Sequence, residues 1–381
     1  MNIAVIGGGF SGLIFSLKLL KAGADVTLYE EHMKVGYPPH CTGLVSGRVV
    51  ALIGGAARKS IISYYDTLIL ESEGSEVRLN VSGGVYKLDR IMLEELLLEE
   101  AENEGLRISM GSRVSRVSPR GSVEVGGTVR AYDSVILAEG YYGSLRGKLG
   151  LKHVNPPVYG VNLEYRRGDA DAGSILVSFD PRTSHKFFSW NLRVGDSILA
   201  GTGARDPRLL KLRIRALEKK HGLSGVVKAY GGSILTGPPS TELSVGKVHI
   251  VGDAGGLNKP LTGGGLYPNS LAAELSLRLL SRSGDVNEAL SRALNMVAGR
   301  LRIQYRMAKP ILDDSKLVKA AVEAAAQTKL NIDMGGLDYD EHEEIIVKLA
   351  RNPAKTARTA IETLRKAPAN TLKAALKFLL A

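Results

Sequence analysis

Residues 2–30 are NIAVIGGGFSGLIFSLKLLKAGADVTLYE, a stretch in which two short apolar runs enclose a glycine-rich turn and an apolar helical repeat. The first run, residues 2–7, is rich in β-branched side chains and ends in glycine, which predicts a buried strand. Residues 12–22 have apolar side chains at helical spacing and stop at Gly23, which predicts a helix. Residues 25–30 predict a second strand. This order predicts a β-α-β unit and therefore a parallel sheet.

The turn of this unit, residues 7–12, is GGGFSG and has the spacing G-x-G-x-x-G. Gly7 permits the tight turn, Gly9 lets the backbone approach a pyrophosphate, and Gly12 lets the helix pack closely on the strand. The helix N-terminus attracts the anion. Glu30 follows the second strand about 20 residues further on, where it is placed to accept a hydrogen bond from a ribose hydroxyl. The turn predicts a dinucleotide site but does not distinguish NAD from FAD.

A second glycine motif lies far along the chain, where residues 248–266 are VHIVGDAGGLNKPLTGGGL. Asp253 directly follows a predicted buried strand and is placed to bind a sugar or ribityl hydroxyl. The glycines of residues 263–265 open a helix and leave bare N–H groups that stabilise negative charge, as on a reduced flavin. The alternative is an aspartate cap on an ordinary helix. Lys259, directly before Pro260, has no role that the sequence explains.

Together with three other segments, these motifs resemble the flavoprotein family with the aromatic-hydroxylase fold, and within it the geranylgeranyl reductase branch. The segments are PPHCTG at 38–43, KLDRIML at 87–93 and AEGYYGSLR at 138–146, in which Glu139 replaces the family's usual aspartate. The resemblance covers roughly residues 1–310. One departure is FSWNLR at 188–193, which keeps Trp190 but lacks the other aromatic and proline residues of the family's substrate stretch.

The resemblance implies an α/β fold with an FAD-binding Rossmann-like domain of the glutathione-reductase/aromatic-hydroxylase type. An inserted, mainly antiparallel β-sheet substrate domain and a C-terminal helical region complete it. The implied boundaries are 1–66, 87–155 and 240–310 for the FAD-binding domain, 67–86 and 156–239 for the sheet domain, and 311–381 for the helical region. From about Pro268 onward we expect mostly helices, with breaks near Pro310, Gly335-Gly336, Pro353 and Pro368.

The resemblance also implies which residues form the site. Cys41 is expected close to the flavin and the substrate, where a thiol could donate a proton or shape the pocket; an inert buried cysteine is the alternative. Trp190 could line a lipid pocket or pack inside the sheet. The expected catalytic residues are Cys41 and Trp190, and the expected cofactor-binding residues are Gly7, Gly9, Phe10, Ser11, Gly12, Glu30, Cys41, Thr42, Gly43, Arg90, Val114, Glu139, Gly140, Gly252, Asp253, Pro260, Gly263, Gly264, Gly265 and Leu266.

The implied activity is reduction of C=C bonds in geranylgeranyl chains of isoprenoid or archaeal-type ether lipids. The implied cofactor is FAD, with NAD(P)H or a reduced ferredoxin as electron donor. An FAD-dependent monooxygenase acting on a small apolar substrate is the alternative, and it would add oxygen to its product instead of hydrogen.

The composition of the chain limits which metals, nucleic acids or membranes it is expected to bind. One cysteine and seven histidines without an H-E-x-x-H pattern predict no structural metal site, and no nucleic-acid-binding motif is present. Of a net charge of +11, residues 345–381 carry eight basic and one acidic residue interleaved with apolar ones. This pattern predicts a basic amphipathic helix for an anionic membrane surface, and a solvated helix face packed on the body is the alternative. We expect a cytoplasmic protein, or one peripheral at the inner membrane surface.

Overall fold

The computed structural model describes residues 1–151, 156–328, 338–341 and 353–371, which form three sheets with helices packed around them. The strands of the first sheet are β1 (Asn2–Ile6), β2 (Asp25–Tyr29), β6 (Arg107–Ser109), β10 (Ser134–Leu137), β16 (Ser244–Val245) and β17 (Val248–Ile250). Their order is β16-β17-β10-β1-β2-β6, and every neighbouring pair is parallel except the β16–β17 edge. The predicted β-α-β unit is therefore confirmed.

The second sheet has eight strands in the order β15-β11-β14-β13-β12-β4-β5-β3. In chain order they are β3 (Leu44–Ser46), β4 (Ile61–Ser72), β5 (Ser75–Leu88), β11 (Val158–Arg167), β12 (Ser174–Ser178), β13 (Ser189–Val194), β14 (Ser197–Ala204) and β15 (Ser224–Ile234). All neighbours are antiparallel except β4 and β12. A third, small antiparallel sheet contains β7 (Val114–Val117), β8 (Ser122–Val125) and β9 (Thr128–Ala131).

Helices pack on one face of the first sheet and the small sheet packs on the other, and further helices follow in the C-terminal part of the chain. In the described residues they are α1 (Phe10–Lys21), α2 (Gly47–Ile53), α3 (Gly55–Lys59), α4 (Arg90–Asn103), α5 (Leu145–Lys148), α6 (Leu210–His221), α7 (Leu266–Ser283), α8 (Val286–Asp313), α9 (Ser315–Gln327) and α10 (Pro353–Lys366). None of the helices in this part of the chain is both long and apolar enough to cross a membrane.

Strand β1 lies at the centre of the first core because side chains alternate between the two faces of a strand. Ile3 and Val5 pack with α1 and α7 in one cluster, whereas Ala4 and Ile6 pack with β10, β17 and the small sheet in another. All four side chains are buried. Burial on both faces explains why this strand is a continuous apolar run in the sequence.

The boundary expected between residues 66 and 67 falls inside β4, which begins at Ile61; the division into domains itself remains a prediction. Strand β5 pairs with β4, and the pairing shifts register at a bulge. The helix break expected near Pro310 comes after Asp313, where the Asp314 carboxylate caps α9. Gly335 and Gly336 lie outside the described residues.

Candidate functional site

The turn between β1 and α1 contains two glycines that the packing of the chain itself requires. Gly7 has a φ of +105°, and a Cβ there would lie 2.3 Å from the carbonyl oxygen of Ala138. A Cβ on Gly12 would lie 1.9 Å from the carbonyl oxygen of Gly7. Neither position has room for a side chain. Glycine at both positions therefore allows the close packing of strand and helix that the motif predicts.

Gly9 differs from both, because no contact with a described protein atom requires a glycine at this position. Its φ of −73° and ψ of 178° suit any residue, and a Cβ there would meet no atom within 4 Å. Gly9 is also the N-cap of α1 and provides no side-chain hydrogen bond to the helix. The first turn of α1 therefore presents bare N–H groups to an open space, which is the arrangement that binds a pyrophosphate.

Glu30 lies at the carboxyl end of β2, beside this turn. Its Oε2 accepts a hydrogen bond from the Gly8 N–H at 2.5 Å, and its Oε1 accepts one from the His32 N–H at 2.8 Å. These bonds hold the buried carboxylate against the turn. Oε1 also lies 2.6 Å from His32 Nδ1, whereas Oε2 keeps acceptor capacity, as binding of a ribose hydroxyl requires.

The second glycine motif meets the first at the same edge of the sheet. Asp253 follows β17, accepts a hydrogen bond from Asn258 Nδ2 at 3.1 Å, and has a pKa raised by burial. Gly265 is the N-cap of α7 and gives that helix no side-chain hydrogen bond. A Cβ on Gly264 would lie 2.7 Å from Lys259 Cε, and one on Gly263 would lie 2.1 Å from Ile234 Cγ2. The loop therefore packs tightly against the rest of the protein. No side chain caps the N-terminus of α7.

Arg90 provides an observation that points to a ligand. Its Nη2 donates to Glu94, but its buried Nε has no hydrogen-bond partner in the part of the chain that the structure describes. Burial alone would lower the pKa of Arg90, and the neighbouring Glu94 and Cys41 raise it instead. A buried donor without a partner is costly, so this N–H fits a site that holds a polar cofactor group.

A cavity of about 1280 Å³ connects these features. Its walls include all the predicted site residues except Gly12, which packs behind the turn, and Pro260. The Glu139 carboxylate is engaged with protein, because it accepts hydrogen bonds from the N–H groups of Leu145 (2.8 Å) and Arg146 (2.7 Å) at the start of α5. A direct contact of Glu139 with the cofactor remains a prediction.

Cys41 and Trp190 both line the cavity, and Asn162 connects their surroundings. The Trp190 indole donates from Nε1 to Asn162 Oδ1 at 3.0 Å, and Thr42 Oγ1 donates to the same oxygen at 3.1 Å. Cys41 Sγ accepts a hydrogen bond from the Gly43 N–H at 3.4 Å. The sequence did not predict a role for Asn162, because only the pairing of β11 with β14 and β15 brings this strand to the cavity.

Beyond Trp190 the cavity continues into an apolar arm. Phe187 and Phe188, with ring centroids 4.0 Å apart, contribute aromatic surface there. Further apolar residues of this arm come from β4, β5 and α9. They are Leu68, Leu70, Val77, Leu79, Leu317, Val318, Ala321, Val322 and Ala325. One end of the cavity is therefore rich in backbone N–H groups, and the other is mainly apolar, with three threonines of α10 among its lining residues.

A short C-terminal segment, Asp338–Glu341, closes the back of the glycine loop, and the sequence did not predict this contact. Buried Lys259 forms an ion pair with Asp340, which also accepts a hydrogen bond from the Ser46 N–H at 2.8 Å. Tyr267 Oη donates to Glu341 Oε1 at 2.5 Å. Tyr339 lines the cavity, with its ring centre 4.7 Å from Lys259 Nζ. Lys259, for which the sequence indicated no role, is therefore the counter-ion of Asp340 in this segment.

Lys87 gives a testable pH dependence beside the site. Burial lowers its pKa from 10.5 to about 8, partly offset by the nearby carboxylates of Asp89 and Glu164. Between these two pH values the unfolded chain binds the proton and the folded chain does not, so stability rises with pH. We expect the free energy of unfolding to gain about 3 kcal/mol from this group between pH 8 and 10.5. Urea titrations at several pH values should show the gain in the wild type and a flatter profile in Lys87→Met. Equal slopes for the two proteins would contradict it.

Comparisons with known proteins agree with this geometry. Residues 5–41 match the model of the NAD(P)-binding Rossmann-like domain. A digeranylgeranylglycerophospholipid reductase of Methanoculleus marisnigri is 25% identical over 372 residues, which are 86% of this chain and 91% of the relative.

Solved structures share the fold over nearly the whole chain. A geranylgeranyl bacteriochlorophyll reductase-like protein of Thermoplasma acidophilum has a TM-score of 0.76 at 16% identity, covering 95% of this chain and 98% of its own. A flavin-dependent brominase has a TM-score of 0.67 at 12% identity, covering 93% and 99%. The predicted fold class is confirmed. Two glycine motifs thus meet at one cavity, and the chain is similar to the geranylgeranyl reductases both in sequence and in fold.

Proposed function

We propose that this protein hydrogenates C=C bonds in the geranylgeranyl or other polyprenyl chain of an isoprenoid lipid. The observation that carries the proposal is the shape of the cavity, which joins a dinucleotide cradle to an apolar arm lined by β4, β5 and α9. Its volume of about 1280 Å³ covers the cradle and the apolar arm together. The similarity to a digeranylgeranylglycerophospholipid reductase supports the same substrate class.

The residues at the polar end fit FAD. The first turn of α1 would hold the pyrophosphate and Glu30 the adenosine ribose, while Asp253 would bind a ribityl hydroxyl. Arg90 would donate its free Nε–H to the cofactor, and the uncapped start of α7 would stabilise negative charge on the flavin ring. When bound and reduced, FAD supplies the hydride that an alkene carbon accepts.

The protein's own contribution to the reaction is positioning. An isolated alkene offers little charge for electrostatic activation, so the apolar arm must hold one double bond beside the flavin and exclude water. Trp190, fixed by Asn162, forms part of the wall at the junction. The second alkene carbon needs a proton, and we propose Cys41 as its donor because the thiol lines the cavity next to the Gly43 N–H.

Replacing Cys41 by alanine is expected to slow alkene reduction by about 100-fold, the usual contribution of a positioned general acid. FAD binding should persist, because the cradle does not use the thiol. Anaerobic single-turnover reoxidation of the photoreduced flavin by prenyl substrate measures the rate, and the flavin absorption spectrum reports occupancy. Cys41→Ser keeps a dissociable proton and should recover part of the rate. Undiminished turnover in Cys41→Ala would remove Cys41 from the mechanism.

The overall reaction can be tested by product mass. Photoreduced protein is incubated without oxygen, once with geranylgeranyl diphosphate and once with an unsaturated ether lipid. We expect a gain of two hydrogens for each double bond reduced, whereas incorporation of oxygen in air would indicate the monooxygenase chemistry instead. NADPH and a reduced ferredoxin are then compared as donors, and we propose that the two electrons used in each cycle are replaced by one hydride from NADPH or by two one-electron transfers from ferredoxin.

A further inference from the structure

Helix α10 has two faces with different surroundings. Thr356, Thr359 and Thr363 line the cavity, on the side where the helix packs against α9. At 3.6 residues per turn, positions 357, 361 and 364 lie on a different side. There Ile361 is 51% exposed and Leu364 45% exposed, and Ala357 is exposed as well. A surface helix normally places such side chains toward the core, so this apolar stripe is unpartnered in the described structure.

Basic side chains border the apolar stripe. Arg358 is exposed, and Arg365 is 70% exposed while it pairs with Glu362 at 2.8 Å. Over residues 353–366 the chain has four basic residues and one acidic residue. An apolar stripe flanked by arginines matches an anionic lipid surface in both hydrophobicity and charge.

The cavity lining and the apolar stripe are adjacent on α10. Ala360 lines the cavity and is itself exposed, and it precedes Ile361 directly. The apolar arm and the exposed stripe thus meet at one helix. The region predicted as membrane-binding from its charge, residues 345–381, lies partly outside the described residues, but α10 falls within it.

We propose that α10 docks this protein on an anionic lipid bilayer, with Ile361 and Leu364 inserted at the acyl boundary and the cavity edge at Ala360 facing the membrane. A prenyl chain can then pass from the bilayer into the apolar arm without crossing water. The proposed docking does not depend on the proposed reductase function, whereas the passage of a prenyl chain rests on that function.

Sedimentation of the FAD-loaded full chain with vesicles tests the docking. We expect binding to vesicles of phosphatidylcholine with phosphatidylglycerol, and much weaker binding to phosphatidylcholine alone. The double variant Ile361→Ser/Leu364→Ser should lower the apparent affinity by about tenfold. Arg358→Gln and Arg365→Gln should each lower it by about fivefold and reduce its dependence on salt. Because these side chains are exposed, the melting temperature should stay within a degree or two of the wild type.

A matched control comes from α6, another basic helix with an exposed apolar residue. Leu212 is 57% exposed and Arg215 is exposed, but neither lines the cavity. Leu212→Ser/Arg215→Gln should change vesicle affinity by less than about twofold. Equal losses in the α6 and α10 variants, or no loss in the α10 variants, would overturn the assignment. Since sedimentation requires no turnover, an absence of reductase activity would contradict the proposed function and leave this result intact.

Discussion

Gly9→Val is expected to abolish FAD binding while the fold remains intact. The φ and ψ angles of Gly9 suit a β-branched residue, and its Cβ would meet no described protein atom within 4 Å. The valine side chain would instead occupy the space in front of the first turn of α1, where the pyrophosphate is expected. Losing the cradle should weaken FAD binding by more than about 100-fold, because several N–H contacts to the anion would be lost together.

Two other glycine variants separate this effect from packing. A Cβ on Gly147, in α5, would also meet no described atom within 4 Å, but Gly147 does not line the cavity, so Gly147→Val should keep both FAD and stability. Gly12→Val would clash with the Gly7 carbonyl oxygen and should prevent folding. FAD titration by fluorescence and circular dichroism of the FAD-free proteins provide the readouts. Tight FAD binding by Gly9→Val would disprove the phosphate cradle.

The second large effect is expected from the ion pair behind the glycine loop. Both side chains of the Lys259–Asp340 pair are at most 3% exposed, so Asp340→Ala leaves a buried ammonium without its counter-ion. Breaking such a pair should cost about 3–5 kcal/mol in the free energy of unfolding. The same change removes the acceptor of the Ser46 N–H at the start of α2. The glycine loop and the C-terminal segment should therefore loosen together.

Urea denaturation of the FAD-loaded chain measures this cost. The double variant Lys259→Met/Asp340→Leu removes both charges and fills a similar volume, so it should recover most of the lost stability. Arg292→Met, which breaks the exposed pair with Glu288, serves as the control and should cost less than about 1 kcal/mol. If the double variant is as unstable as Asp340→Ala, the two side chains contribute to stability through packing and not through their charges.

The cofactor half of the site was predictable from local sequence. The β1-α1-β2 unit and its glycine turn are contiguous in the chain, and their geometry follows from hydrophobic periodicity and from the absence of side chains at Gly7 and Gly12. The Gly-Asp motif was predictable for the same reason, since a strand, a loop and a helix start are all local features. Resemblance then supplied the family that relates the two motifs.

The substrate half was not predictable in this way. Asn162, which positions Trp190 and Thr42, lies on a strand whose neighbours come from residues 197–204 and 224–234. The apolar arm combines β4 and β5 with α9, which lies more than 200 residues further along the chain. Apolar residues in a strand give the same sequence pattern whether they face a core or a cavity, because both environments exclude water.

By itself, the sequence determined the parallel sheet and the dinucleotide turn, since each depends on residues that are neighbours in the chain, whereas the flavin was implied by the resemblance that joins two distant motifs. Only the tertiary structure decided that Lys259 is the counter-ion of Asp340, 81 residues away, and that the cavity passes from the glycine turn to α9 and α10. The physical reason is that a buried charge or an apolar wall is satisfied by whatever the fold brings within a few ångströms. The periodicity of a sequence does not indicate which distant residues will lie that close together.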